Sequence, residues 1–238
     1  MPTFTLTPAA KQLILDYEVG GGEKWYDKFA IHPEWPGFSS GVTIGVGYDI
    51  GQSSASEFQA DWGNRLTPSV FNRLKACVGI HGAAAKPLIA GLKDISIPWS
   101  AASAVFFAID VPKYYRQTQQ AFPGVESLPL DAQGALLSLI FNRGPGMKGD
   151  GRREMRAIRE LVPKDDLKGI AAQLRSMERL WPSKPGKPKT QLARRRDAEA
   201  KLLENAKGEP LTAPNNDASQ CLDPRTLGAP PLPQTLLA

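Results

Sequence analysis

Residues 41–51 read GVTIGVGYDIG. Val42, Ile44 and Val46 alternate with Thr43, Gly45 and Gly47, a period of two that suits a short strand and no helix. The glycines remove side chains and let backbone or a ligand approach closely. Working outward, the stretch from Glu23 to about Gly51 is dense in glycine, proline and aromatic residues, which predicts a small β lobe. Upstream, Thr7-Pro8 can cap and open a helix. Apolar residues at Ala10, Leu13, Ile14 and Tyr17 mark its buried stripe, and Gly20-Gly21-Gly22 ends it.

Downstream the helical period returns. Segments near 54–62, 67–78, 83–91, 99–120, 130–141, 151–161, 166–180 and 190–206 read as helices, and the proline-rich WPSKPGKPKT (181–190) as a loop. Within 130–141, Ala132, Ala135, Leu136, Leu139 and Ile140 mark a deeply buried element. The last 31 residues hold six prolines and four charged groups with no period, so 208–238 is expected to be a flexible tail. The expectation is one α+β domain over 1–207, with a small β lobe, a larger helical lobe and a cleft between them near Glu18.

Composition narrows the function. The chain has 238 residues, 42% of them hydrophobic, which excludes wholesale disorder. No run approaches the roughly 18 apolar residues of a membrane span. The start, MPTFTLTPAAKQLILDYE, does not read as a secretory signal. Cys77 and Cys221 make no disulfide framework, and with His32 and His81 they offer no metal-ligand spacing, so no metal or cofactor is implied. The net charge of +5 is uneven. Residues 143–207 carry 18 Lys and Arg against 9 Asp and Glu, a surplus suited either to an anionic polymer or to solvated helix faces.

Glu18 follows the apolar stripe at the C-terminal end of the first helix. Lost hydration and the negative end of the helix dipole both disfavour a charged carboxylate there, as a general acid requires. Thr43 and Asp49 flank the glycine-rich strand and can present a hydroxyl and a second carboxylate. An acid, a second carboxylate and a hydroxyl are what glycosidic hydrolysis uses. Trp25, Tyr26, Trp35, Phe38 and Tyr48 add flat faces for sugar rings in the same region, although core packing accounts for some of them equally well.

With these residues in view, the chain resembles the phage-type lysozymes of glycoside hydrolase family 24. The likeness rests on Glu18, on TIGVGYD (43–49), on Ala101 to Tyr115 with Asp110, on FNRGPG (141–146) and on QLARRRDAEAKLL (191–203), in order over about 8–206. It is nearer to the pesticin-type muramidases, which have the order Glu, Thr, Asp. The resemblance implies a lysozyme-like fold and an inverting muramidase that cuts the β-1,4 bond between N-acetylmuramic acid and N-acetylglucosamine. Glu18 would be the acid, with Asp49 and Thr43 activating water. Asp27, nine residues after Glu18, is the alternative second carboxylate, and Tyr48 stands where many phage enzymes carry His. Asn142 would line the cleft or brace the β lobe, and Arg195 would lie near Glu18.

Three other classes come into consideration. One is a peptidoglycan-binding module without turnover; another is a chitinase-like or chitosanase-like glycosidase. The third, a nucleic-acid binder using the basic third, is set aside in favour of a monomeric enzyme whose partner is peptidoglycan. Delivery to the wall without a signal would be that of a holin-released endolysin, a bacteriocin or a secreted effector. An effector would bring an immunity protein as a further partner.

Overall fold

The computed structural model describes residues 5–183 and 186–206. The expected tail, 208–238, lies outside them. The first helix, α1 (Pro8–Glu18), begins as the sequence suggests: the Thr7 hydroxyl oxygen accepts from the Ala10 amide at 3.0 Å. That hydroxyl also donates to Asp131, tying the start of α1 to the start of α7 (Leu130–Arg143). Farther along, Ala10 abuts Gly134 of α7, where an added Cβ would stand 2.3 Å from that of Ala10. Only a residue without a side chain permits this close crossing.

After the glycine turn the backbone re-enters a helix. α2 (Glu23–Phe29) occupies part of the region expected to be β. Glu23 in its first turn and Lys28 in its last complement the helix dipole, and Tyr26 is its one buried residue. The sheet itself is minimal. β1 (Thr43–Ile44) pairs antiparallel with β2 (Tyr48–Asp49), so that Thr43 faces Asp49 and Ile44 faces Tyr48. Gly45 and Gly47 take positive φ in the turn, and Gly45 packs against Trp62 and Ala102. Isolated bridges Glu34–Thr43 and Gly41–His81 extend the hairpin.

Helices α3 (Ala55–Trp62), α4 (Pro68–Lys75) and α5 (Trp99–Val105) enclose the hairpin and share one apolar core with it, including Tyr26, Ile44, Ile50, Phe58 and Trp62. A second core joins α7 to α8 (Arg153–Leu161), α9 (Leu167–Ser176) and α10 (Gln191–Glu204). Between them Ile14, Phe106, Val111, Tyr115 and Leu137 form a smaller seam. The described residues are thus mostly helical with one small antiparallel sheet, an α+β fold.

The expected helix over 99–120 is continuous but not uniform. α5 runs into a π-helical turn, Phe106–Asp110, before α6 (Val111–Ala121). Pro112 accounts for it: the ring has no N–H to give the fourth carbonyl back and clashes with it. The turn widens, and the Val111 amide donates to Phe106 O, five residues back.

The crossing of α1 and α7 gives a direct test. Gly134→Val should lower the unfolding free energy by about 1–3 kcal/mol through overpacking against Ala10. Urea unfolding followed by circular dichroism measures it, and a change within about 0.5 kcal/mol would show that the helices separate freely.

Candidate active site

Two adjoining cavities lie along the seam. The first, of about 340 Å³, is lined by Glu18, Trp25, Glu34, Asp110, Tyr114 and Phe141 among others. The second, of about 550 Å³, is lined by Tyr48, Asp49, Glu57, Asp61 and Lys113 among others. They share Gly47, Asp110 and Tyr114, so a single groove runs from the end of α1 past the hairpin turn to β2.

Glu18 closes α1 at one end of this groove. Arg195 Nη2 donates to its Oε1 at 2.6 Å, while Oε2 has no hydrogen-bond partner among the described residues. Arg195 is itself buried on α10 and held from behind. Its guanidinium donates to Ser138 O at 2.8 Å and to Glu199 Oε1 at 3.2 Å, and it lies over the Tyr17 ring. Glu199 is fully buried and also accepts from Ser138 Oγ and Arg196 Nη2, each at 2.7 Å. Burial raises the Glu199 carboxyl above its ordinary range and lowers the Arg196 guanidinium to about 10. Opposite charges balance within the cluster, and this is what makes such burial tolerable.

Asp49 stands at the other end. Its Oδ1 accepts from the amides of Gly41 (3.0 Å), Gly51 (2.9 Å) and Gln52 (3.3 Å), and among the described residues Oδ2 accepts only from Gly41, at 3.1 Å. The carboxylate therefore caps the short helical turn Ile50–Gln52 and pins the backbone at Gly41, just before β1. Thr43, its cross-strand partner, donates to Gly41 O at 3.4 Å and is buried. Thr43 lines neither cavity. A Cβ at Gly41 would collide with Gly51 and with Asp49 Oδ1, so glycine is required where these groups converge.

The other expected residues separate clearly. Trp25, 41% exposed, lines the first cavity beside Tyr26. The Tyr26 ring is buried and its hydroxyl donates to Ile97 O at 2.9 Å. The Tyr48 hydroxyl donates to Asp61 Oδ2 at 2.8 Å in the second cavity. Asn142 is exposed and lines neither cavity; its neighbour Phe141 reaches the groove and stacks on Tyr114 at 4.0 Å. Asp27 points from the exposed side of α2 and lines neither cavity.

Three carboxyls on the groove, Glu34, Glu57 and Asp61, were not singled out from sequence, and a fourth, Asp110, was named only within the family likeness. Only Asp110 carried a signal, namely Pro112 two residues later inside a helical run. Burial pushes its carboxyl from 3.8 to about 6, with Lys113 opposing and Asp61 adding to the rise. Tyr114 is raised by burial and then by the charges of Asp110 and Glu18, with which it lines the first cavity.

A family model described as a domain of unknown function, DUF8812, matches residues 13–120. The match contains Glu18, the hairpin, Asp49 and Asp110, and ends before α7 and α10. Among curated proteins, none matches the sequence. No group of three or more His, Cys, Asp or Glu among the described residues is placed to hold a metal ion.

The raised Asp110 carboxyl has a thermodynamic signature. Between the unfolded value of 3.8 and about 6 the native state holds a proton that the unfolded chain has released, so this residue's contribution to stability falls as pH rises through that window. Asp110→Asn should therefore raise Tm relative to wild type more at roughly pH 7 than at roughly pH 4. Equal differences at both pH values would show that the carboxyl is not desolvated in the native state.

Proposed function

We propose that the protein is a muramidase with a lysozyme-like fold, hydrolysing the β-1,4 glycosidic bond between N-acetylmuramic acid and N-acetylglucosamine in peptidoglycan. The observation that carries this reading is Glu18. It is a carboxyl at a helix end, facing a groove between two lobes, with one oxygen anchored by a buried arginine and the other unoccupied by protein. A general acid needs that division: a fixed position and a free oxygen from which to deliver its proton.

In this reading a glycan strand lies along the groove. Glu18 gives the proton on Oε2 to the leaving glycosidic oxygen, and Arg195 stabilises the carboxylate that remains. Asp49, through the lightly bonded Oδ2, accepts a proton from the attacking water on the opposite face of the sugar, which inverts the anomeric centre. Thr43 acts at one remove, bracing Gly41 and so the Asp49 carboxylate. Trp25 and Tyr114 supply ring faces for the sugars.

The basic C-terminal third supports an anionic substrate. Part of its charge is internally paired: Arg175 with Glu204, Arg179 with Asp150 and Glu154, and Lys189 with Glu178 and Asp197. The net surplus then acts as a diffuse attraction to the wall that salt weakens. No helix among the described residues is long and apolar enough to cross a membrane. Release by a holin, or export as a bacteriocin or effector with an immunity protein for partner, belongs to the same proposal.

A second reading draws on the same Asp49. With three backbone amides on its carboxylate, Asp49 also suits a purely structural brace, and the groove would then bind glycan without cleaving it. Purified peptidoglycan separates the two. Wild type should clear the suspension and release new reducing ends, while Glu18→Gln, folded by circular dichroism, should lose about 10²–10⁴-fold in rate. If wild type pellets with the wall but releases no sugar, the binding reading replaces the enzyme.

A further inference from the structure

The middle of the groove holds a carboxyl that no described residue meets with a hydrogen bond or ion pair. Asp110 ends the π-helical turn and lines both cavities, with no hydrogen bond or ion pair among the described residues. Its surroundings are polar but do not meet it. Lys113 lies one turn along α6, Asp61 of α3 shares the second cavity with it and already accepts from the Tyr48 hydroxyl, and Tyr114 and Glu18 share the first cavity with it. A partly buried carboxyl without a partner is costly, and proteins keep such groups mainly where a ligand completes them.

We propose that Asp110 is a substrate-contacting residue, which hydrogen-bonds a sugar hydroxyl or the acetamido group of a glycan strand at the point where the two cavities join. The proposal rests on the glycosidase reading and deepens it, adding a contact between the acid end of the groove and the Asp49 end. The lining fits a ligand rich in hydroxyl and amide groups, because carboxyls and aromatic faces share the walls of both cavities and such a chain offers donors for the one and sugar faces for the other. Pro112 is the device that aims the residue: without the π-helical turn, residue 110 would be rotated about the helix axis relative to the residues before it. The raised titration of Asp110 adds a consequence, since the contact changes from donor to acceptor as pH passes about 6.

The test uses the full chain with Asp110→Asn, Asp110→Ala and Pro112→Ala. Two readouts are taken: reducing ends from purified peptidoglycan across roughly pH 4–9, and binding of soluble peptidoglycan strands to each variant in a Glu18→Gln background. Asp110→Ala should lower kcat/KM and strand affinity by about 10–100-fold, as expected for loss of a hydrogen bond to a charged group. Asp110→Asn should recover part of both and remove the inflection near pH 6, and Pro112→Ala should fall between. If wild type is active and both Asp110 variants stay within about twofold of it with unchanged pH profiles, the proposal fails and the glycosidase stands. If wild type binds strands without cleaving them and Asp110→Ala weakens that binding, the contact stands and the enzyme reading fails. Absence of both cleavage and binding overturns both.

Discussion

One buried arginine joins the first described helix to the last. Arg195, on the last described helix, reaches Glu18 on the first, and Ser138 and Glu199 hold it in place. An isolated guanidinium cannot be left at that depth, so α1, α7 and α10 must assemble together around a balanced set of charges. Its function depends on the same constraint. The carboxyl that faces the groove is fixed because the guanidinium behind it is itself held by Ser138 and Glu199.

The rest of the groove is built by two local backbone devices. At one end Gly41, Gly51 and the Asp49 carboxylate converge so tightly that a two-residue strand pair becomes rigid. On the facing wall Pro112 widens a helix by one residue and carries Asp110 into the seam. Neither device adds much apolar burial. Both set the direction of a carboxyl, and the large cores on either side hold them there.

The features legible in the sequence were those written in periodicity and glycine placement. The hairpin follows from 41–51, the end of α1 at Glu18 from the apolar stripe and glycine turn, and the helical lobe from its 3.6-residue pattern. α2 was hidden because the aromatic residues and flanking glycines of 23–31 outweigh a seven-residue helix that buries one side chain. The proximity of Arg195 to Glu18 came only from the family likeness, since nothing local couples residues so far apart in sequence. Asn142 was expected at the cleft, but the helix phase there turns Phe141 inward. Glu34 and Asp61 look like any surface acids in sequence, because what places them is the docking of their elements against the hairpin.

The proposed reaction in this groove is hydrolysis of one particular bond. Mass spectrometry of the soluble products released from purified peptidoglycan, after borohydride reduction, tests it most directly. The account predicts fragments whose reduced end is N-acetylmuramic acid and whose mass includes one added water per cut. Reduced N-acetylglucosamine ends, anhydro-muramic ends or the absence of any soluble sugar would contradict it.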